Sequence, residues 1–386
     1  MALPRHRVIQ GQRGHRGKPA RQRIRYAIVG LGHIAQESVL PAFSHASRNS
    51  EIGALFSEDA AKLRNFGKTY GVENLYSYDE FEQGLREADI DAVYLALPNH
   101  LHETYTVRAA RERVHVLCEK PLAVTAKQCK RMISECRRNK VKLMTAYRLH
   151  FEPANLEAIG ILQSGQLGEP RIFGSLFSFQ VAPGNIRLKT RDGGGTLYDI
   201  GTYCINAARY LFRDEPLEVL AITAAGRDRR FKEIEETTSA MLRFPKDRLA
   251  TFTCSFGVAE ESRYEVLCTK GAIRVSHAYE YVYPIEVEIF QDGQTRIHTH
   301  KRRDQFAPEL IYFSDCILQN REPEPGGVEG LADVQIIEAL YRSARTRRPV
   351  RLTKLPTVRH PRVQQRFSIP PAPKPKLLHV AAPSRD

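Results

Sequence analysis

The feature that most constrains this chain is an alternation of apolar and amphipathic segments between residues 24 and 147. The apolar segments read IRYAIVG (24–30), IGALFS (52–57), DAVYLAL (91–97), HVLCEK (115–120) and VKLMTAY (141–147), with a short strand near 75–76. Strands that are apolar throughout and alternate with helices are typical of a parallel sheet covered on both faces. The pattern predicts a doubly wound α/β domain.

Helical spacing fills the gaps between these strands. We expect helices at 34–43, where Pro41 bends or ends the helix, at 60–71, from about 78–79, at 102–113 and at 125–140. Gly71 is a C-terminal cap signal for the second of them.

The regular alternation of predicted strands and helices ends after about residue 150. Six longer strand-like runs follow, namely RIFGSLFSFQV, EVLAITAAG, TTSAMLRF, RLATFTCSFG, RYEVLCTKGAIRVSH and PIEVEIFQ. Predicted helices lie at 153–164, 197–212, about 305–320 and 330–346. Successive strands without intervening helices indicate a large, mostly antiparallel open sheet in a second α/β domain.

These patterns divide the chain into four parts. We predict a basic flexible tail at 1–23, the doubly wound domain at 24–147, a substrate and oligomerisation domain at 148–351, and an extended Pro-rich basic tail at 352–386.

The net charge of +14 belongs to the two ends. Residues 1–25 and 351–386 carry sixteen of the 58 Lys and Arg residues but one of the 44 Asp and Glu residues. The remainder is close to neutral, so nucleic acid is not an expected partner, although the tails allow weak, salt-sensitive contacts with anions. Solvated, flexible ends are the favoured interpretation.

Cysteine usage and hydropathy further restrict the class of protein and its cellular location. The seven cysteines are scattered without a CxxC pair, which argues against a disulfide framework and against a metal site. No apolar stretch approaches the length of a membrane span, and the N-terminus lacks the apolar region of a secretory signal. We therefore expect a cytoplasmic protein.

A glycine-rich turn, VGLGHIA (29–35), joins the first strand to the first helix. Gly30 allows the tight turn, Gly32 lets backbone N–H groups approach a pyrophosphate, and Ala35 replaces the third glycine of GxGxxG. In this context the motif predicts a dinucleotide site.

The end of the second strand bears on which dinucleotide binds. Ser57 stands where an NAD enzyme usually has an acid, and Lys62 follows it in the next helix, which favours NADP. Glu58 and Asp59 weigh against a bound phosphate, so NAD stays an alternative.

Polar residues end the fourth and fifth strands. Pro98 and Asn99 close the fourth, at the edge where ligands bind, although Asn99 also suits a helix N-cap. Lys120 ends the fifth strand and is followed by Pro121. Burial in the crevice is expected to lower the pKa of this lysine; a surface lysine paired with Glu119 is the alternative.

The stretch GGGTLYDIGTYCINAARYLF (193–212) places Asp199 and Tyr203 four residues apart on one helix face. A phenol has a reference pKa of about 10, and a nearby cation lowers such a pKa. Lys120, Asp199 and Tyr203 can together take a proton from an alcohol as hydride leaves its carbon. The spacing leaves open whether Lys120 or Tyr203 is the immediate acid–base, and whether Tyr203 is only a core aromatic.

The segments VGLGHIAQ, ALFSEDAAKL, LALPNHLH, CEKPLA, AYRLHFEPAN and GGGTLYDIGTYCINAARYLF resemble the Gfo/Idh/MocA family over about residues 24–350. The likeness is greatest to its glucose–fructose oxidoreductase and NADP-dependent sugar dehydrogenase branch, because a tyrosine stands at 203 where many members have histidine. The resemblance implies a Rossmann domain, an α/β domain whose sheet forms a dimer interface, and a carbohydrate substrate for a homodimer or homotetramer.

The resemblance also implies residue roles. Lys120, Tyr203 and Asp199 are the predicted catalytic residues, and Lys120, Arg187, Asp199 and Tyr203 are predicted to bind substrate. The predicted cofactor-binding residues are Gly30, Gly32, His33, Ile34, Ser57, Lys62, Tyr76, Leu97, Pro98, Asn99, His102, Glu119, Lys120 and Arg148. The hypothesis is an NADP-dependent sugar or polyol oxidoreductase, and the alternative is a non-catalytic NADP sensor whose tails contact nucleic acid or a partner.

Overall fold

A computed structural model describes residues 23–352, 355–356, 358–373 and 375–384. The first sheet has six parallel strands in the order β3-β2-β1-β4-β5-β6. These strands are β1 (Ile24–Val29), β2 (Ser50–Phe56), β3 (Leu75–Tyr76), β4 (Ala92–Leu95), β5 (His115–Cys118) and β6 (Leu143–Thr145). The predicted doubly wound sheet is confirmed, and its strand order reverses between β1 and β4, where such folds bind ligands.

Five helices cover this sheet, and a separate hydrophobic core lies on each of its faces. They are α1 (Leu40–Ala46), α2 (Ala60–Tyr70), α3 (Phe81–Glu87), α4 (His102–Arg111) and α5 (Ala126–Arg138). The Asp59 side chain caps the start of α2, and Gly71, at φ 67°, ends it as predicted.

The first helix agrees with the prediction in part. Residues 33–46 are helical, with a wide, π-type turn at Ala35–Val39 and regular α-helix, α1, from Leu40. Proline has no N–H group to donate, and Pro41 directly follows the wide turn, where the regular hydrogen bonding is interrupted. Pro41 therefore lies at a distortion of the helix, as expected, but does not end it.

The second sheet has nine strands in the order β14-β13-β12-β11-β7-β10-β9-β8-β15. The strands are β7 (Pro170–Ser178), β8 (Glu218–Ala224), β9 (Thr237–Arg243), β10 (Leu249–Ser255), β11 (Glu261–Cys268), β12 (Gly271–Ser276), β13 (Ile285–Gln291), β14 (Gln294–His300) and β15 (Val350–Arg351). Their pairing is antiparallel except between β7 and β10, which confirms the expected class of sheet.

The helices that pack against one face of this sheet are α6 (Pro153–Ser164), α7 (Thr202–Phe212) and α9 (Gly327–Thr346). α8 (Ala307–Leu318) instead packs against the first domain, where Ser314 Oγ lies 2.9 Å from Tyr26 Oη. α9 belongs to both domains, since Leu331 and Val334 lie in a core of the first and Ile337 and Leu340 in the core of the second.

The described part of residues 352–386 is extended and lies on the body of the protein. Phe367 N donates to Phe151 O at 3.3 Å, and Asp304 N donates to Ile369 O at 2.9 Å. These contacts differ from the solvated end that the charge pattern favoured, because Phe367 and Ile369 pack against a core of the first domain. The first 22 residues lie outside the described part of the chain.

None of the helices in the described residues combines the length and the apolar character that a membrane crossing requires. All seven cysteines are free thiols.

Candidate active site

The glycine turn lies at the carboxyl edge of the first sheet. Gly30 has φ +95°, and a Cβ there would be 2.6 Å from Ala96 O, so only glycine fits the turn. At Gly32 a Cβ would meet no atom within 4 Å, which leaves open space above the first helical turn. His33 and Ile34 follow, both half-buried. This open, side-chain-free helix start suits a dinucleotide pyrophosphate.

Ser57 and Lys62 flank the start of α2. Ser57 is buried, and its Oγ accepts a hydrogen bond from Asp59 N at 3.1 Å, while Lys62 is half-buried in the first turn. The acids between them are both engaged: Glu58 Oε1 accepts from Tyr78 N at 3.0 Å, and Asp59 Oδ1 accepts from Ala61 N at 2.9 Å.

The segment after β4 holds two of the predicted cofactor-binding residues. Asn99 begins a short 3₁₀ turn and forms no N-cap; its Nδ2 donates to Gly193 O at 2.9 Å. His102 is completely buried, and its ring nitrogens lie 2.9 Å from Leu97 O and Pro121 O. Both ring nitrogens thus face carbonyl groups at the ends of β4 and β5, and a contact of His102 with the cofactor stays a prediction.

Other predicted lining residues keep positions near the sheet edge. Leu97 is buried and Pro98 half-buried. Tyr76 stacks on Phe56 with ring centroids 5.3 Å apart. Glu119 accepts from Tyr94 Oη at 2.7 Å, and burial raises the pKa of its carboxyl.

Lys120, from the end of β5, meets Asp199 from the second domain. Lys120 Nζ donates to Asp199 O at 2.8 Å and to Asp199 Oδ1 at 3.0 Å. Arg187 Nε donates to Asp199 Oδ2 at 2.5 Å. Asp199 thus joins two cations, one from each domain, and the Lys120 and Asp199 side chains are only 13% and 16% exposed.

The charges of this group follow from burial and pairing. Burial alone would lower the pKa of Lys120, but Asp199, followed by Tyr203, raises it above its ordinary value. Our expectation of a lowered lysine pKa is therefore wrong. Burial opposes ionisation of Asp199, yet Arg187 and Lys120 together lower its pKa to about 2. Both groups are charged at neutral pH.

Tyr203 lies on α7 between two cations. Lys120 Nζ is 4.8 Å and the Arg148 guanidinium carbon 5.1 Å from the centroid of its ring. Arg148 Nη2 donates to Tyr203 Oη at 3.3 Å. Arg148 is buried and is itself held by Gln305 Oε1 and by Tyr279 O. The phenol therefore has a fixed direction and a cationic neighbourhood.

The three glycines before Asp199 are explained by contacts within the chain. A Cβ at Gly193 would be 2.8 Å from Asn99 Cβ, one at Gly194 2.3 Å from Arg187 O, and one at Gly195 2.4 Å from Tyr341 Oη. The glycines let the loop close against Asn99, which carries Arg187 and Asp199 to the first domain.

Sequence reasoning missed two groups around the site. Gln36, in the wide turn after the glycines, is completely buried, and its Nε2 donates to Leu31 O at 2.8 Å. Tyr281 Oη donates to Glu37 Oε2 at 2.9 Å and its ring faces Arg148. The aromatic run AYEYVYP (278–284) was the available signal for the second group. No cluster of three potential metal ligands occurs in the described ranges.

Comparisons with known proteins agree with this geometry. Residues 24–147 match the Gfo/Idh/MocA oxidoreductase family with an NAD-binding Rossmann fold, and residues 156–274 match the family's C-terminal domain. The D-xylose 1-dehydrogenase [NADP(+)] of Haloarcula marismortui is 32% identical over 85% of this chain and 93% of its own.

Solved structures give the same result. The aldose-aldose oxidoreductase of Caulobacter crescentus, complexed with glycerol, has a TM-score of 0.82 and 37% identity, covering 86% of this chain and 100% of its own. A 3-ketoreductase from Actinomadura kijaniata, in complex with NADP and TDP-benzene, has a TM-score of 0.76 and 28% identity, covering 83% and 98%. The chain belongs to the Gfo/Idh/MocA family of oxidoreductases.

Proposed function

We propose that this protein is an NADP-dependent oxidoreductase that transfers hydride between the nicotinamide and a carbon of a sugar or polyol. The observation that carries the proposal is the meeting of Lys120 from the first domain with Asp199 and Tyr203 from the second, in a crevice beside the glycine turn. The NADP-linked xylose dehydrogenase and the glycerol-bound aldose oxidoreductase support the cofactor and the substrate class.

The proposed roles follow from charge. Because Asp199 raises the pKa of Lys120, the lysine keeps its proton near neutral pH and is suited to donate a hydrogen bond to the substrate oxygen. Tyr203 Oη already accepts from Arg148, which leaves its own O–H directed elsewhere. We therefore assign the proton exchange with substrate to Tyr203, with Lys120 assisting as a cation.

The other residues position substrate and cofactor. The nicotinamide, when bound, supplies the hydride acceptor or donor. Gly30 and Gly32 give the turn that receives the pyrophosphate, and Ser57 with Lys62 faces the adenosine ribose. Asp199 orients Lys120, and Arg187, whose side chain is 30% exposed, is available to a sugar hydroxyl. The cations beside Tyr203 stabilise negative charge that develops during proton transfer.

We also propose that the open face of the second sheet pairs with a second copy of this chain. Its outward side chains include Leu176, Met241 and Ile222, of which Ile222 is 71% exposed. Charges of both signs border them, including Arg274, whose Nη2 lies 3.2 Å from Glu265 Oε1. A two-fold interface brings one patch against itself, and mixed charges permit this without net repulsion.

The assay that tests the oxidoreductase is reduction of NADP⁺ by a panel of aldoses and polyols, with Lys120→Met and Tyr203→Phe as variants. General acid–base groups contribute about 10²- to 10⁴-fold, so we expect kcat to fall by that order in each variant. Binding of NADP⁺ to Tyr203→Phe, followed by fluorescence, should change by less than about threefold, because Tyr203 is not among the predicted cofactor-binding residues.

The alternative of a nucleotide sensor makes the opposite prediction. Wild-type protein would bind NADP⁺ and turn over none of the panel, and both substitutions would be silent. A kcat for Tyr203→Phe equal to that of the wild type would by itself remove tyrosine from the acid–base role.

A further inference from the structure

The C-terminal segment 375–384 is attached to the turn that would receive the cofactor. Leu378 N donates to Gln36 Oε1 at 2.8 Å, and Gln36 Nε2 donates to Leu378 O at 3.0 Å. The same Gln36 amide donates to Leu31 O inside the glycine turn. Because Gln36 is completely buried, this paired contact fixes the half-buried Leu378 to the first domain.

The next residue along the segment reaches the end of β2. His379 Nδ1 lies 2.8 Å from Asp59 Oδ2, although the two residues are 320 positions apart. Asp59 lies two residues beyond Ser57, and its backbone N–H donates to Ser57 Oγ. His379 has φ +50°, a left-handed conformation that a non-glycine residue adopts at a cost of about 1 kcal/mol or more. The contacts on both sides of His379 hold this conformation.

The segment then crosses to the second domain. Ala182 N donates to Pro383 O at 3.0 Å, and Ser384 pairs with Val181 in an antiparallel bridge. From His379 to Pro383 an extended chain covers at most about 14 Å. The segment therefore passes from the end of β2 to residues 181–182, which follow β7 and precede the Arg187 loop.

His379 pairs with one of the two acids beside Ser57 that would otherwise repel a phosphate. One oxygen of Asp59 accepts from the amides at the start of α2, and the other is paired with the imidazole. Glu58 is turned to Tyr78 N. Among the described residues, Lys62 lies near Ser57 and forms no salt bridge with an acidic side chain.

We propose that segment 375–384 is a third part of the cofactor site, and that His379, by pairing with Asp59, is a determinant of the preference for a dinucleotide with a 2′-phosphate. The inference rests on the proposed NADP function. It extends that function to a residue outside both family domains, which match residues 24–147 and 156–274.

Binding measurements on the full chain test this proposal without turnover. Calorimetry with 2′,5′-ADP and 5′-AMP compares two fragments that differ by the 2′-phosphate. The His379 and Asp59 side chains are 57% and 31% exposed, so for His379→Ala and His379→Gln we expect the affinity for 2′,5′-ADP to fall by about three- to fivefold, while that for 5′-AMP changes by less than twofold. The matched control is His277→Ala, an exposed histidine whose ring contacts Pro284 O, for which neither affinity should move.

A double-mutant cycle with Asp59→Asn tests whether the pairing of His379 with Asp59 causes the loss of affinity for 2′,5′-ADP. If His379 acts by pairing with Asp59, His379→Ala made in the Asp59→Asn background should weaken 2′,5′-ADP by less than twofold. The assignment to the 2′-phosphate would be overturned if His379→Ala weakened the binding of 2′,5′-ADP and 5′-AMP equally. It would also be overturned if His379→Ala weakened the binding of 2′,5′-ADP equally in the wild-type and Asp59→Asn backgrounds. Wild-type protein that binds neither fragment nor NADP⁺ would instead contradict the proposed function itself.

Discussion

Lys120 and Asp199 show two opposed effects acting on single side chains. Burial disfavours both charges, and mutual pairing restores them, with Arg187 as the third member. The residue types and their spacing indicated this group, but the direction of the lysine shift was predicted wrongly. The reason is physical: burial of the lysine and its nearness to Asp199 were both expected, but the 3.0 Å separation that lets the pairing outweigh burial could not be predicted from the sequence.

A substitution of Asp199 tests this account through the pH dependence of activity. Because Asp199 raises the pKa of Lys120, the lysine loses its proton only above its ordinary range, and activity that needs the cation is lost as pH rises through that raised pKa. The Asp199→Asn substitution removes the carboxylate that raises the pKa of Lys120. We expect the alkaline limb of log kcat/KM to move to lower pH by about one unit or more.

The measurement is a pH profile of kcat/KM from pH 6 to 12, because the raised pKa of Lys120 lies above the ordinary lysine value of about 10.4. Asp199 itself does not titrate in this range, since its pKa is about 2. Asp192→Asn, a nearby acid beside His100 and Arg191, is the control, and its alkaline limb should stay in place. An unmoved limb in Asp199→Asn would contradict the assignment of that limb to Lys120.

Among the elements, the loop of Gly193, Gly194 and Gly195 determines how the two domains meet at the site. Its backbone lies so close to Asn99 and to Arg187 O that added side-chain atoms have no room. The loop therefore sets the position of Arg187 relative to Asp199.

Gly194→Ala is expected to displace this loop. Its Cβ would be 2.3 Å from Arg187 O and 2.8 Å from Lys189 O, both backbone atoms that cannot rotate away. We expect kcat/KM to fall by about 10- to 100-fold, because a misplacement of about 1 Å near reacting groups costs up to 10²-fold. Steady-state kinetics measures the effect on activity, and a thermal melt measures the effect on stability.

Gly165→Ala provides the comparison. Gly165 has φ +74° at the end of α6, and a Cβ there would meet no atom within 4 Å. Backbone strain should lower its melting temperature while kcat/KM stays unchanged. If Gly194→Ala showed the same pattern, the loop would not position the catalytic groups.

The elements also show where sequence patterns succeed. β1 to β6 were predictable because each is apolar and the parallel sheet buries both of its faces. β14 was missed because QTRIHTH contains a single large apolar residue, Ile297. β14 pairs with the adjacent β13 across the Asp292–Gly293 turn, and His298 and His300 also bind Glu157 of α6. The ring contacts of His102 and the site contacts of the C-terminal segment, by contrast, depend on partners distant in sequence that no local pattern encodes.

At the scale of the whole molecule, the nine-stranded sheet is covered by helices on one face and open on the other. A Met241→Glu substitution tests whether that open face meets a second copy. In a two-fold dimer it places two like charges near each other in an apolar contact, so we expect dissociation to monomers.

Sedimentation velocity at several protein concentrations measures this outcome. Leu318→Glu, at an exposed position 41% accessible at the end of α8, is the control and should leave the assembly unchanged. A Met241→Glu protein that keeps the mass of the wild-type dimer would exclude this face as the interface. A wild-type monomer would do the same.

The placement of α9 has a consequence for how substrate enters. A rigid rotation of one domain away from the other would have to expose Leu331 and Val334 on one side or Ile337 and Leu340 on the other, all buried in their respective cores. Burial of each such side chain is worth about 1.5–3 kcal/mol, so thermal hinge motion of that size is disfavoured. We therefore expect substrate to reach Lys120 and Tyr203 through displacements of surface loops, with the two domains held together by α9.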